Sequence, residues 1–262
     1  MLPVHNFSYG AVTPLAGFVM SSLGAYLGLR FAVRAREYTG APRARWLLLA
    51  AVSIGTTGIW VMHFIAMLGY TIPGETIRYN VPVTIGSMLL AVAVVYVGLL
   101  IVGFGPETPA RLLAAGVITG IGVAGMHYTG MAAMEMPART TYNGGVLAAS
   151  VLIAIIAATA ALWSALRLRG IWPTLIAALI MGAAVSGMHY TGMAAMHASP
   201  ASAGSMIIGG ASAATFLLPL ILGICIVNFL MSAIIVLSPN DREIRAEGEL
   251  MDRIARARGG EL

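Results

Sequence analysis

The ten residues Gly125 to Met134, GMHYTGMAAM, recur without a change at Gly187 to Met196. A weaker relative of this motif, Trp60 to Met67, precedes both copies. The motif histidines are His63, His127 and His189. They are 64 and 62 residues apart, which is about the length of two membrane-crossing helices with their connections. The chain therefore consists of repeats, and each repeat brings one histidine to an equivalent position.

The composition is that of a membrane protein, because 59% of the 262 residues are hydrophobic and only 10% are charged. Seven apolar stretches approach the ~20 residues that a spanning helix needs: 11–33, 46–70, 81–103, 111–134, 146–166, 171–197 and 213–237. We therefore predict an all-α polytopic membrane protein. Its seven transmembrane helices form three parallel two-helix repeats plus one extra helix.

Arginine sets the expected orientation. The chain has 15 arginines and no lysine, and all but Arg78 and Arg139 fall on one side of the predicted membrane. The positive-inside rule then places the N-terminus outside, in the periplasm, and the C-terminus in the cytoplasm. No basic run is dense or aromatic enough to suggest a nucleic-acid partner, so the expected partner is the lipid bilayer.

The three histidines are expected to share one layer near the outer interface. They lie 18, 16 and 20 residues beyond the nearest upstream arginine, roughly 24 to 30 Å along a helix. On each helix, positions i, i+4 and i+7 form one stripe: His63, Met67 and Tyr70; His127, Met131 and Met134; His189, Met193 and Met196. Small residues before the motifs, including Gly58, Gly120 and Gly182, predict close helix packing. A pseudo-three-fold convergence of the histidines is the simplest geometry.

Such a layer favours a soft metal. Imidazole and thioether suit copper, above all Cu(I), whereas hard cations need carboxylates, and Glu135 is the only glutamate beside a motif. Eight of the 16 methionines lie in the three motifs. The alternative stays open that these methionines pack an irregular core and that each histidine only hydrogen-bonds a neighbouring helix.

Polar residues beside the histidines are further candidates. Tyr128 and Tyr190 follow their histidines directly and are predicted hydrogen-bonding partners or ligands. Tyrosine near an interface is also ordinary in membrane proteins. His197, near the end of the sixth helix, is an additional candidate ligand.

The two Met-His-Tyr-Thr copies, the variant Met62-His63-Phe64-Ile65 and the seven predicted helices resemble the MHYT-domain family of bacterial integral membrane sensors. The resemblance implies an inner-membrane protein whose motif residues bind copper and sense a diatomic gas such as oxygen, carbon monoxide or nitric oxide. We also keep two alternatives: that the metal is another soft or borderline transition metal, and that the signal is redox state. Carried onto this chain, the implied ligands are His63, Met67, His127, Met131, His189 and Met193. The supporting residues are Met62, Met126, Met188, Met134, Met196, Tyr128, Tyr190 and His197. Phe64 and Ile65 depart from the family pattern.

The resemblance also implies a cytoplasmic signalling partner or output domain. We assign residues 1–238 to the membrane sensor domain. For residues 239–262 we predict a cytoplasmic tail, a short signalling helix or the beginning of an output domain. No separate acid, base or nucleophile set is visible in the sequence, so enzymatic activity is not expected.

Three other functions remain open from the sequence. Parallel repeats with polar groups between them also occur in transporters and channels for metals or small solutes. A metal-dependent membrane enzyme is a second alternative. A pH sensor is a third, because histidine titrates near neutrality, although it leaves the methionines unexplained.

Overall fold

The computed structural model describes residues 2–200 and 209–237. In these residues, seven helices are long and apolar enough to cross a membrane. They are α1 (Val12–Ala35), α2 (Gly40–Leu68), α3 (Val81–Gly103), α4 (Pro109–Ala132), α5 (Gly144–Arg167), α6 (Ile171–Ala195) and α7 (Ala213–Ile235). The predicted fold class is confirmed.

Local sequence explains where the middle helices begin. The side chains of Asn80, Thr108 and Asn143 accept hydrogen bonds from backbone N–H groups in the first turns of α3, α4 and α5. Such caps satisfy donors that have no partner inside the helix. Pro82 and Pro109 occupy the first turns of α3 and α4, where proline costs no hydrogen bond.

Helices α1 to α6 pack in sequence order and close into a ring, because α6 also packs against α1. The motif-bearing ends of α2, α4 and α6 contact one another inside this ring. The predicted close packing holds at two of the three glycines: a Cβ on Gly120 would overlap the backbone of Ile155 and one on Gly182 would overlap Ser22 Oγ, whereas one on Gly58 would lie at an ordinary contact distance of 3.5 Å from the backbone nitrogen of Ala25. Small residues thus let the backbones approach.

Four short strands, which were not predicted from the sequence, follow the motif-bearing helices. Strand β1 (Arg78–Tyr79) pairs with β2 (Met134–Glu135), and β3 (Ala138–Tyr142) pairs with β4 (Met196–Pro200). Both ladders are antiparallel and connect loops on the same side of the ring.

The strands correct two predicted helix ends. We expected the fourth and sixth helices to continue to 134 and 197, but they end at Ala132 and Ala195. Met134 and Met196 therefore begin strands rather than continuing a helical stripe. A physical reason is that the strand ladders satisfy the backbone groups that a longer helix would have paired.

Arginines gather at the opposite end of the ring. The Arg36 guanidinium donates to the carbonyl groups of Leu166 and Leu168 at the end of α5. Arg167 pairs with Glu107 at 3.2 Å. These arginines lie at the opposite end of the helices from the strands, because successive helices run in alternating directions.

The chain divides into a unit from Met1 to Asn228 and a second unit that begins at Phe229, within α7. In the first unit, the Ser53 hydroxyl donates to the Asn228 side-chain oxygen at 2.9 Å. In the second unit, the Ser232 hydroxyl donates to the Phe229 carbonyl. The predicted tail, 239–262, lies outside the described residues, and its boundary stays a prediction.

Candidate metal centre

The three motif histidines meet inside the ring. His63 Nδ1 lies 3.0 Å from His127 Nδ1 and 3.0 Å from His189 Nδ1. The ring centroids are 4.9 to 5.1 Å apart, and each imidazole meets the others nearly edge-on. All three side chains are buried, with at most 1% exposure. The predicted convergence is therefore present.

A glycine of the following motif makes room for the imidazole before it. A Cβ on Gly130 would lie 2.5 Å from His63 Nε2, and one on Gly192 would overlap His127 Nε2 in the same way. These glycines hold the third position after the histidine in motifs two and three, where the first motif has Ala66. The Nε2 edges of His63 and His127 thus face helix backbone, which leaves Nδ1 of these two rings pointing to the shared centre.

Hydrogen bonding alone does not satisfy this cluster. If each neutral ring keeps its proton on Nε2, three Nδ1 lone pairs converge without a donor. If one ring carries its proton on Nδ1, that proton serves one short contact, while His63 Nδ1 has two neighbours at 3.0 Å. Among the described residues, His63 Nε2 and His127 Nε2 have no hydrogen-bond partner. A cation between the Nδ1 atoms would satisfy the converging lone pairs.

The spacing fits a transition metal after a small adjustment. A metal bound to imidazole nitrogen at about 2.0 to 2.1 Å in a trigonal arrangement separates the nitrogens by roughly 3.5 Å. The two separations from His63 Nδ1, both 3.0 Å, are shorter than this, and the ligand atoms of all three histidines lie within 4.8 Å of one another. A metal would therefore require the rings to move apart slightly. In the described part of the chain, the three histidines form the only group of His, Cys, Asp or Glu with metal-ligand spacing. Neutral donors suit a soft or borderline metal rather than Mg²⁺ or Ca²⁺.

The predicted methionine ligands are buried on the same helices. Met67, Met131 and Met193, one turn after the histidines, are exposed by 4% or less. Met62 packs elsewhere, because a Cβ on Gly17 of α1 would lie 3.4 Å from Met62 Cγ. The other supporting methionines are all buried: Met126, Met188, Met134 on strand β2 and Met196 on strand β4. Their use as ligands stays a prediction.

The tyrosines after the histidines serve different roles. Tyr128 and Ser150 hydroxyls lie 2.6 Å apart. The Tyr190 hydroxyl is buried without a hydrogen-bond partner among the described residues, and its ring lies 5.3 Å from that of Phe7. The structure shows neither hydroxyl bonded to an imidazole. His197 pairs with Thr141 in the β3–β4 ladder and does not join the histidine group.

Two serines of this region were not predicted from the sequence. Ser87 of α3 accepts from the Trp60 indole N–H at 3.0 Å, and Ser150 holds the matching place beside Tyr128 on α5. They are 63 residues apart. Aligning the helices that follow each motif at the repeat spacing would have found them.

Neutral aromatic rings surround one side of the cluster. Phe64 lies 4.8 Å from His63 and 5.9 Å from Tyr79 between ring centroids. Burial, followed by the nearby Tyr142, raises the pKa of Tyr70 to about 12. Burial also raises the pKa of Tyr79 above its usual range.

The family profile of MHYT, described as "Bacterial signalling protein N terminal repeat", matches residues 57–116, 120–178 and 182–245. The chain is 41% identical over 72% of its length to the bifunctional diguanylate cyclase/cyclic di-GMP phosphodiesterase MucR of Pseudomonas aeruginosa. It is 37% identical over 74% of its length to the cyclic di-GMP phosphodiesterase NbdA of the same organism. The matches cover 28% and 25% of those two proteins. No solved structure matches the chain.

Proposed function

Because the chain belongs to the MHYT family of bacterial signalling proteins, we propose that it is an inner-membrane sensor whose His63, His127 and His189 hold a copper ion. The observation that carries this proposal is the meeting of three buried Nδ1 atoms, in which those of His127 and His189 lie within hydrogen-bond distance of His63 Nδ1. Ionisable residues inside a membrane are functional candidates by default. Copper would supply the ability to bind a diatomic gas or to change redox state.

The residues of the cluster and around it determine how the chain would hold such an ion. The Nδ1 atoms of the three histidines provide a neutral donor set, and Met67, Met131 and Met193 are the thioether candidates nearest in sequence. Gly130 and Gly192 let the rings seat against helix backbone. Burial of all three imidazoles excludes bulk water, which favours a soft, weakly hydrated ion such as Cu(I).

The three histidines join three helices whose other ends lie toward the arginines. A change at the ion would alter the spacing of α2, α4 and α6, and these helices carry it across the membrane. The proposed orientation, with the histidines toward the periplasm and the arginine-rich end in the cytoplasm, rests on the positive-inside rule. Because the relatives named above are enzymes of cyclic di-GMP turnover, we propose that the signal acts on that turnover through a cytoplasmic partner or domain.

Metal analysis of the purified protein tests the copper centre. We expect about one Cu(I) per chain after anaerobic loading in detergent, and its loss in His63→Ala, His127→Ala and His189→Ala. His197→Ala is the matched control, because His197 lies in strand β4 outside the group, and it should keep its copper. Absorption and EPR spectra of the oxidised form should show nitrogen coordination.

Two results contradict the proposal. The first is an intact, folded protein that takes up no copper when loaded anaerobically. The second is equal copper loss in His197→Ala and His63→Ala, which would mean that binding does not depend on the cluster. Preferential binding of zinc over copper would keep the site but overturn the copper assignment.

The structure does not favour metal transport. Below the histidines, two hydroxyl groups are already engaged: Ser21 donates to the Gly58 carbonyl at 2.6 Å and Thr119 to the Val94 carbonyl at 3.4 Å. The described residues leave the hydroxyls of Ser22, Thr57 and Ser186 buried without a hydrogen-bond partner, but the seven described spans contain no Asp or Glu that could relay a cation. Copper uptake by proteoliposomes should stay at the level of empty liposomes.

A further inference from the structure

An apolar cavity of about 50 Å³ lies inside the helix ring on the arginine side of the histidines. Its wall includes the residue four positions before each histidine: Ile59, Val123 and Val185. Four residues of α-helix rise about 6 Å. The cavity therefore begins about one helical turn from the imidazoles.

Small side chains on α5 create the space. Repeat-related positions on α3 and α5 are 63 residues apart, and they pair Ala91 with Ala154 and Val95 with Ala158. All four are buried toward the ring, and three of them, with Val95 the largest, line the cavity. Where α3 has a valine, α5 has only a methyl group, and the missing volume is left open.

The lining offers almost nothing to a polar guest. Ser21 and Thr119 carry the hydroxyls in the wall, and each donates to a backbone carbonyl. Met181 and Met188 add thioethers, which are weak acceptors. A buried water needs two to four polar partners, so this cavity favours an apolar occupant.

We propose that the cavity binds one uncharged diatomic gas molecule. Its volume of about 50 Å³ exceeds the ~10–15 Å³ that one water needs and falls well below the ~150 Å³ of a cavity that holds benzene. That range suits a molecule of two heavy atoms. The cavity stores the gas beside the histidine cluster, and this role in sensing rests on the function proposed above, whereas binding itself does not require the metal.

Xenon is the probe for an apolar site of this size. The protein is prepared metal-free in lipid nanodiscs with ¹³C-labelled methionine methyl groups, and NMR spectra are recorded at increasing xenon pressure. We expect a saturable chemical-shift change at Met181 and Met188, which line the cavity. Xenon dissolved in lipid gives only a linear change.

Two substitutions on one helix separate the cavity from general effects. Ala158→Leu fills the cavity and should abolish the saturable shift. Ala160→Leu adds the same atoms at an exposed position of α5 and should leave the shift unchanged. Val95→Ala enlarges the cavity and should raise xenon affinity, so the proposal remains testable if Ala158→Leu does not fold. Linear shifts in the parent protein, or the same saturation in Ala158→Leu, overturn it.

Copper content measured on the same variants distinguishes the two proposals. We expect Ala158→Leu to lose xenon binding and keep copper, and His63→Ala to lose copper and keep xenon binding. If the parent binds xenon but no copper, the cavity stands and the sensor proposal fails. If the parent binds copper but shows no saturable xenon shift, the sensor proposal stands and the cavity proposal fails.

Discussion

The first and second histidine motifs solve the same packing problem with different side chains. In the second motif, Tyr128 bonds to Ser150 of the following helix at 2.6 Å. In the first motif, Phe64 has no hydroxyl, and Trp60, one turn earlier, donates its indole N–H to Ser87 at 3.0 Å. Both repeats therefore have an aromatic side chain that donates to the serine, but this side chain is a tyrosine only in the second motif.

The two serine hydroxyls donate in the same way and so both require a donor for their oxygen. Ser87 donates to the Thr84 carbonyl and Ser150 to the Leu147 carbonyl, both at 2.7 Å. Each buried hydroxyl oxygen is then free to accept. In the second motif the position of Trp60 is held by Ala124, 64 residues later. A Trp and Phe pair in one repeat thus corresponds to an Ala and Tyr pair in the next.

The largest effect should come from removing the indole. Trp60 is fully buried, bonds to both Ser87 and the Thr84 carbonyl, and packs 4.6 Å from Phe64 between ring centroids. We expect Trp60→Ala to lower the free energy of unfolding by about 3–5 kcal/mol, since it opens a cavity and removes a donor. Reversible SDS unfolding in micelles measures this loss.

Tyr128→Phe is the comparison, because it removes a single hydroxyl from the same interaction in the second motif. Its expected cost is about 1 kcal/mol. Equal losses in the free energy of unfolding for Tyr128→Phe and Trp60→Ala would show that the indole contributes only its N–H. The two motifs would then not differ in packing.

Substitution of Gly130 and Gly192, which lie against the imidazoles, should show a second, smaller difference between the motifs, in copper affinity. Gly130→Ala and Gly192→Ala push a Cβ into His63 Nε2 and His127 Nε2, and displaced rings bind metal less well. We expect the affinity for Cu(I) to fall about 10- to 100-fold, the range found when support for a metal ligand is lost. Competition with a chromophoric Cu(I) chelator measures it.

Ala66→Gly is the matched control, because Ala66 stands at the same position of the first motif and already carries a Cβ. It should leave copper affinity unchanged within about 3-fold while costing up to about 1 kcal/mol of helix stability. Unchanged affinity in Gly192→Ala would mean that His127 does not use Nδ1 for the metal.

Pattern in the sequence was enough to predict the helices and the meeting of His63, His127 and His189. Both follow from long-range regularities: apolar length fixes the spans, and an exact repeat places equivalent side chains at equivalent depth. The strand at Met134 and the one at Met196 were missed because their pairing joins distant segments, such as Tyr142 with Met196, and short strands leave no periodic signal.

The bond between Trp60 and Ser87 was missed for a different reason. Single polar residues in an apolar helix have many possible partners, and only tertiary packing selects one. The cavity also depends on a difference between repeats, Val95 against Ala158, that becomes meaningful only when both helices are seen to face the same axis.

The smallest expected effect is the most specific test of the exchange between motifs. Phe64→Tyr alone buries a hydroxyl beside a serine that already accepts from Trp60, and we expect a loss of about 1 kcal/mol. In the Trp60→Ala background we expect the new hydroxyl to bond to Ser87, as Tyr128 bonds to Ser150, so the same change should stabilise the protein by about 1 kcal/mol. The double variant copies the Ala124 and Tyr128 pair into the first repeat. A double-mutant cycle measures this coupling, and a cycle that closes with no interaction energy would show that the two aromatic arrangements are independent rather than alternatives.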